Sequence, residues 1–375
     1  MYLAVMFPRI MLKTGRGRFR AYIALACAAK QGCVTATARK TEPIPAQNHQ
    51  QPTMPNITYK EVASNAVEAR ERIRNQIYET PLILVRAVGQ AHGAKVLFKA
   101  EHFQHTGSFK FRGASSKMSS STSTGRLITA SSGNHGIAAA RAAKALDKDL
   151  IVVLPETVVP AKLQKINAYG VEVILHGAET GLAEQLAQHL AKKEGYTYIS
   201  PYNDPYIVAG QATIGLEILE QCKQVDSIFI SMGGGGLISG IGSVFKHLSP
   251  KTKVYGVAAS NSKALAESMS AGHVIEVEHT YTLAEAVAGG MDVDSITLPL
   301  ALEVVDQVIE CTEDEIIAAL KDIAIKENML VEASAALALA GYNKVSHTLG
   351  SGTSVIVLCG ANQDQAALMG LLNGA

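Results

Sequence analysis

The amino-acid sequence predicts an α/β fold in which parallel strands alternate with helices. Short runs rich in β-branched residues, from "KVLFK" to "SVIVLCG", recur between alanine-rich stretches of helical length. Several of these runs are apolar throughout, as expected for strands that helices cover on both faces. Strands that alternate with helices in this way are typical of α/β proteins.

The individual elements follow from this alternation. The strand candidates, in chain order, are "KVLFK", "RLITAS", "DLIVVLP", "VEVILHG", "DSIFISM", "KVYGVAAS" and "SVIVLCG", and the clearest helix candidates are "HGIAAARAAKAL", "AEQLAQHLAKK" and "DEIIAALKDIAIKE". No internal repeat is evident after residue 60.

Composition excludes several classes of protein. The chain has 375 residues, 47% of them hydrophobic, and a formal net charge of +1. That length suffices for two domains with sizeable cores. The near-neutral charge gives no electrostatic support for a nucleic-acid or membrane partner. Five cysteines without the spacing of a metal site argue against a disulfide scaffold and favour a reducing, cytoplasmic compartment.

The N-terminal extension, residues 1–55, differs from the rest of the chain. Up to Lys40 it contains basic residues and no acidic ones, as in an organellar transit peptide. The run "AYIALACAA" is alternatively the apolar core of a signal peptide, and Met54 is alternatively the true start. We expect the extension to be a targeting or disordered segment, or not to be translated, and in each interpretation it lies outside the fold.

Three loops follow predicted strands and precede predicted helices. They are "ASSGNHG", "GGGG" and "CGANQD". Ligands of open parallel sheets bind at the carboxyl ends of the strands. We therefore expect the functional site where these loops meet.

The glycine loop, Gly233 to Gly236, predicts a phosphate cradle. Glycines allow backbone N–H groups to converge, and the start of the following helix adds a partial positive charge. A dinucleotide fingerprint would need a third glycine where Ser239 stands, and no acidic residue follows as far as Ala266. The Gly-Lys-Ser/Thr ending of a nucleotide P-loop is also missing. A small phosphorylated cofactor remains.

Lys110 lies between two aromatic residues in "HTGSFKFRGASSK". Apolar surroundings such as Phe109 and Phe111 disfavour an ammonium and lower its pKa. A neutral lysine amine can form a Schiff base with pyridoxal phosphate (PLP), which carries a single phosphate. The alternative is an ordinary lysine at the start of a helix.

With these residues in view, the chain resembles the fold-type II PLP enzymes, most closely the serine/threonine dehydratases and serine racemase. The motifs, in order, are "TGSFKFRGA", "SSGNHG", "VAGQATIGLEI", "GGGGL", "TLAEAVAGG", "LVEASAALA" and "LCGAN". The resemblance implies a two-domain fold like that of the tryptophan synthase β-subunit and a homodimer. A large domain would comprise residues 56–125 and 204–375, and a small mobile domain residues 126–203.

The resemblance also implies roles for individual residues. Lys110 would form the Schiff base and move the α-proton, and Phe109 would pack on the cofactor ring. Asn134 would donate to the ring 3′-oxygen, and Cys359 would face the pyridine nitrogen. Ser132 would act as a second acid/base. The phosphate would be bound by Gly233, Gly234, Gly235, Gly236 and Leu237, and the substrate carboxylate by Ser131, Ser132, Gly133, Asn134 and His135.

The metal-binding acids of the racemase-like members are replaced here by Ala258 and Ala264, so no metal site is expected. The reaction that the resemblance implies is β-elimination of water from L-threonine or L-serine followed by hydrolysis, giving a 2-oxo acid and ammonia. Racemisation of serine and deamination of 3-hydroxyaspartate stay open as alternatives. A β-replacement synthase fits less well because "KFRGA" departs from its Lys-Asp-Arg motif, and a non-catalytic binding module is the remaining alternative.

Overall fold

A computed structural model of the protein describes residues 57–89, 93–120 and 125–373. The N-terminal extension predicted for residues 1–55 lies outside these ranges. The elements are α1 (Tyr59–Ile73), β1 (Leu82–Leu84), β2 (Lys95–Lys99), α2 (Lys110–Ser120), β3 (Leu127–Ala130), α3 (Asn134–Ala145), β4 (Leu150–Leu154), α4 (Pro160–Asn167), β5 (Glu172–Leu175), α5 (Thr180–Glu194), β6 (Thr197–Tyr198), α6 (Pro205–Gln221), β7 (Ser227–Ser231), α7 (Gly236–Leu248), β8 (Lys253–Ala259), α8 (Ala264–Ala271), α9 (Thr297–Val304), β9 (Gln307–Cys311), α10 (Glu313–Lys326), α11 (Ala333–Val345), β10 (Thr353–Val357) and α12 (Gln365–Asn373).

The larger of two sheets has six strands in the order β1-β2-β10-β7-β8-β9. Only β1 runs antiparallel to its neighbour, β2, and the other pairs are parallel. The predicted α/β fold with parallel sheets is therefore confirmed, and each of the seven strand candidates forms a strand. β1, β6 and β9 were not predicted, because the first two are very short and β9 mixes polar with apolar residues.

The smaller sheet has four parallel strands in the order β5-β4-β3-β6. Successive side chains of a strand point to opposite faces. Leu150, Val152 and Leu154 accordingly enter one hydrophobic core, and Ile151 and Val153 enter another. β4 is thus buried on both faces, as predicted. The edge strand β5 is not, since its two terminal residues are exposed.

The two sheets occupy different parts of the chain. All four strands of the smaller sheet fall within residues 126–203, and all six strands of the larger sheet lie outside that range. The exact boundaries of a small domain and its mobility stay predictions. No helix among the described residues is long and apolar enough to cross a membrane.

A buried ionic network lies beneath the first turn of α2. Arg112 donates to both carboxylate oxygens of Glu101, at 2.8 and 2.9 Å, and also to Glu217. Lys99 donates to Glu217 at 2.6 Å. These four side chains carry two positive and two negative charges and are almost fully buried. The network therefore fixes the helix that begins with Lys110.

Candidate active site

The predicted loops follow strands of both sheets. The glycine loop follows β7 and the loop of Cys359 follows β10, and these two strands are neighbours in the larger sheet. The loop of residues 131–133 follows β3 in the smaller sheet. A side-chain hydrogen bond joins segments next to the two sheets. Asn134, at the start of α3, donates its Nδ2 to Oε1 of Glu332, which directly precedes α11, at 2.8 Å.

Lys110 is the first residue of α2 and is partly buried. Its Nζ lies 5.2 Å from the centroid of the Phe109 ring and donates to the carbonyl oxygen of Pro201 at 2.8 Å. Burial lowers the pKa of Lys110 to about 8, although Cys359 and Glu332 oppose this effect. The amine therefore loses its proton more readily than an exposed lysine does.

The glycine loop is crowded on both sides. A Cβ on Gly233 would lie 2.9 Å from the Cα of Val287, and a Cβ on Gly234 would lie 2.6 Å from the ring of Tyr202. Gly235 has a φ of 87°, a left-handed conformation that side chains disfavour, and precedes the first residue of α7. The first N–H groups of that helix have no partner within the helix itself. The sequence "GGGG" thus forms a tightly packed turn at the positive end of a helix, and Gly236 and the buried Leu237 begin that helix.

The loop of residues 131–135 leads into α3, which begins at Asn134 after Gly133. The backbone N–H of Gly133 donates to Ser131 Oγ at 3.3 Å, and Ser132 is partly exposed. The turn is tight, since a Cβ on Gly136 would lie 1.9 Å from the carbonyl oxygen of Ser131.

His135 is buried, and its Nε2 lies 3.1 Å from both Thr129 Oγ1 and the carbonyl oxygen of Ile199. Burial, and secondarily Lys110, lowers its pKa to about 3, so the ring is neutral. The ring nitrogen nearest the sheet is therefore already hydrogen-bonded. Any contribution of His135 to anion binding would come from its backbone N–H at the start of α3.

Cys359 is buried, and its Sγ lies 4.0 Å from Glu332 Oε1. Burial, followed by the nearby Glu332, raises the pKa of the thiol well above its usual value. Cys359 is therefore a neutral thiol at neutral pH.

Three residues that sequence reasoning did not assign also lie here. Glu332 and Asn362 contact Asn134, since Glu332 accepts from its Nδ2 and Asn362 Nδ2 donates to its Oδ1 at 2.8 Å. Tyr202 packs against the glycine loop and accepts a hydrogen bond from the backbone of Asp292 at 2.6 Å. The motifs "LVEASAALA" and "LCGAN" contain Glu332 and Asn362, so the signal was present, but a lone Glu or Asn in a motif does not reveal its partner.

Within residues 57–89, 93–120 and 125–373, no group of three or more His, Cys, Asp or Glu side chains is placed to hold a metal ion.

Comparison with known proteins gives consistent matches. A family model described as "Pyridoxal-phosphate dependent enzyme" matches residues 73–360. The catabolic L-threonine dehydratase of Staphylococcus aureus is 35% identical over 315 residues, 81% of this chain and 90% of the relative. The L-threo-3-hydroxyaspartate ammonia-lyase of Saccharomyces cerevisiae is 32% identical over 313 residues, 83% of this chain and 96% of the relative.

Among solved structures, maize serine racemase superposes with a TM-score of 0.76 at 29% identity, over 83% of this chain and 97% of the racemase. The family match spans most of the chain and includes Lys110, the glycine loop and Cys359. The resemblance inferred from the motifs is confirmed: the chain belongs to the family of pyridoxal-phosphate-dependent enzymes.

Proposed function

We propose that the protein is an ammonia-lyase that removes ammonia from L-threonine or L-serine by β-elimination of water followed by hydrolysis, giving 2-oxobutanoate or pyruvate. The observation that carries this proposal is the position of Lys110. Its amine has a pKa of about 8 and donates to the carbonyl oxygen of Pro201, in the segment that follows β6 of the smaller sheet. The S. aureus relative, an L-threonine dehydratase, supports the choice of reaction.

The residues of the site fit PLP. The glycine loop offers backbone N–H groups at the start of α7, and its close packing against Val287 and Tyr202 leaves no room for side chains at Gly233 and Gly234. Phe109 offers an apolar ring beside the Lys110 amine. Gly233 to Leu237 would bind the phosphate, and Cys359 would face the pyridine nitrogen without protonating it, because the thiol keeps its own proton.

When bound, PLP withdraws electrons from the substrate and makes its α-proton acidic. Lys110 would accept this proton at Nζ, since burial favours its neutral form. The start of α3, with Ser131 to His135, would orient the substrate carboxylate through backbone N–H groups. The β-hydroxyl would take the proton now held at Lys110 Nζ and leave as water, and hydrolysis of the released enamine, which takes up one water, would give the 2-oxo acid and ammonia. Ser132, partly exposed in this loop, would be the second acid/base.

The test is 2-oxo acid formation from L-threonine, L-serine and L-threo-3-hydroxyaspartate. We expect rapid product from threonine or serine, and its loss in Lys110→Ala by a factor of about 10³ or more, since both covalent and acid–base catalysis would be removed. Lys117→Ala, a change farther along the same helix, is the matched control. It should keep the visible absorbance of bound PLP, which borohydride abolishes.

A second candidate function rests on the yeast relative, a 3-hydroxyaspartate ammonia-lyase, and on the similar fold of maize serine racemase. Product from hydroxyaspartate alone would favour the former. Conversion of L-serine to D-serine without 2-oxo acid would favour the latter and contradict the dehydratase proposal.

We also propose that the enzyme is a homodimer, as the family resemblance implies, and that it is cytoplasmic, or organellar if the basic N-terminal extension is a transit peptide. Light scattering coupled to size-exclusion chromatography should give twice the mass of one chain, and a monomer would contradict this proposal.

A further inference from the structure

Glu332 is a buried carboxylate that contacts Asn134, and its relative accessibility is 5%. It directly precedes α11, and its backbone N–H donates to the carbonyl oxygen of Gly360 at 3.0 Å. A Cβ on Gly360 would lie 2.9 Å from Glu332 Oε1, so glycine at this position allows the close approach.

The side-chain contacts of Glu332 all come from donors. Asn134 Nδ2 lies 2.8 Å from Oε1 and 3.1 Å from Oε2, and the backbone N–H of Asn362 donates to Oε2 at 3.0 Å. The Cys359 thiol points at Oε1 from 4.0 Å. A carboxylate accepts at both oxygens, whereas a protonated acid would place an O–H against one of these donors. The contacts therefore favour the ionised form, although burial raises the pKa of Glu332.

Asn134 is held at both ends of its amide. Glu332 accepts from its Nδ2, and Asn362 Nδ2 donates to its Oδ1 at 2.8 Å while also donating to the Thr106 carbonyl oxygen at 2.7 Å. Turning the amide over would place Asn134 Oδ1 against the Glu332 carboxylate. The pair Glu332 and Asn362 thus selects one orientation of Asn134 before any ligand binds.

We propose that Glu332 is a positioning residue that fixes the Asn134 amide in the orientation required to bind PLP. The inference rests on the proposed placement of PLP beside Lys110 and Asn134, and is independent of which amino acid is the substrate. It assigns to Glu332 a pre-organising role, because ordering Asn134 in the free protein lowers the entropy that binding must otherwise overcome.

The experiment is a titration of the apo-protein with PLP, followed by absorbance and fluorescence, for wild type and Glu332→Gln. Glutamine keeps the side-chain volume, but it has only one oxygen that can accept a hydrogen bond. Its NH₂ group would face one of the N–H donors that the Glu332 carboxylate now accepts from. We expect PLP to bind about tenfold more weakly, in line with the loss of one charge-assisted hydrogen bond.

The matched control is Glu327→Gln. Glu327 is also buried, at 2%, and accepts from the backbone N–H groups of Arg86 and Ala87 at 2.7 and 2.9 Å, but it has no contact with the candidate site in the described residues. Both variants lose a buried carboxylate, so both should lower the melting temperature. Only Glu332→Gln should change the affinity for PLP.

A second readout is the pH dependence of PLP uptake. The charged and titratable groups that act on Glu332 or respond to it are Lys110, Cys359, Glu285 and Lys162. Glu332 raises the pKa of Lys110, so removing its charge should move the midpoint of the uptake profile to lower pH. A merely structural defect would leave the midpoint unchanged.

A double-mutant cycle separates positioning from direct contact. If Glu332 acts through Asn134, the variant Asn134→Ala/Glu332→Gln should bind PLP no more weakly than Asn134→Ala alone. Additive losses, or an affinity of Glu332→Gln within about twofold of wild type, would overturn the proposal.

Should Glu332→Gln not fold, Asn362→Ala removes the other contact to the Asn134 amide and should weaken PLP binding to a smaller extent. An unchanged affinity there would equally overturn it.

The outcomes also distinguish this proposal from the proposed function. If no hydroxy amino acid is turned over but Glu332→Gln still weakens PLP binding, the function is wrong and the positioning role stands. If turnover occurs and PLP binds Glu332→Gln normally, the positioning role is wrong and the function stands.

Discussion

Lys110 and Arg112 are two residues apart on α2, yet their surroundings differ completely. Arg112 donates to two carboxylates within 3 Å and belongs to a network in which positive and negative charges are equal. Lys110 donates to a backbone carbonyl oxygen instead, and burial lowers its pKa to about 8. Full pairing makes a buried charge a permanent part of the fold, whereas incomplete pairing leaves a group that can change its protonation state and react.

Breaking the balanced network should have the largest effect. Arg112→Met would leave Glu101 and Glu217 buried with fewer positive partners, and we expect a loss of about 3–5 kcal/mol in the free energy of unfolding. Urea denaturation followed by circular dichroism measures this change. A loss below about 1 kcal/mol would mean that the network is dispensable and would remove the contrast with Lys110.

Gly235→Ala should have the next largest effect and should act on the reactive region. Alanine at a φ of 87° costs about 1–2 kcal/mol in backbone strain, and its Cβ would lie 2.8 Å from Thr297. We expect lower stability together with weaker PLP binding. Gly272→Ala is the control, because Gly272 has a φ of 76° and open space around it, so it incurs the strain without altering the loop. Equal PLP affinities in the two variants would contradict a role for the glycine loop in phosphate binding.

The rate at which apo-protein takes up PLP should report the Lys110 amine directly. Only the neutral amine attacks an aldehyde, so the rate should be nearly constant above pH 8 and fall about tenfold per unit below it, as protonation removes the reactive form. Stopped-flow absorbance between about pH 6 and 11 measures this profile, because that range contains both the lowered pKa of Lys110, about 8, and the pKa of an exposed lysine, about 10.4. A midpoint near the value of an exposed lysine would show that burial does not tune Lys110.

The smallest effect should come from an exposed ionic cluster. Arg126 donates to Asp149 at 2.8 Å and also to Glu172, in surroundings open to water. Arg126→Gln should change the free energy of unfolding by no more than about 1 kcal/mol, and less at high salt. A loss as large as that of Arg112→Met would show that burial is not what separates the two clusters.

The sequence allowed the fold class and all seven strand candidates to be predicted, because each candidate is a short run rich in β-branched and other apolar residues between helical stretches. It did not reveal β1 and β6, strands of three and two residues, or β9, which mixes polar with apolar residues without a regular period. Pairing with an existing sheet makes such segments strands, and pairing is a long-range property that local composition does not express.

The candidate site shows a similar limit. Lys110, Asn134 and the glycine loop were predicted because each carries a local pattern or lies in a motif of the family. The partners of Asn134 were not, since Glu332 is 198 positions away in the chain and Asn362 is 228 away. Orientation of a ring such as His135, which turns its Nε2 toward Thr129, is likewise set by neighbours in space.

The order of strands in the larger sheet has a consequence for the synthesis of the chain. Among the described residues β10 is the last strand in the chain, yet it lies between β2 and β7 and joins the two halves of that sheet. A nascent chain that has not yet produced residue 353 therefore has two unpaired strand edges facing each other, both prone to aggregation. Cys359 and Asn362 follow this strand, so the candidate site is complete only after the C-terminal part of the chain has been synthesised and has paired with β2 and β7.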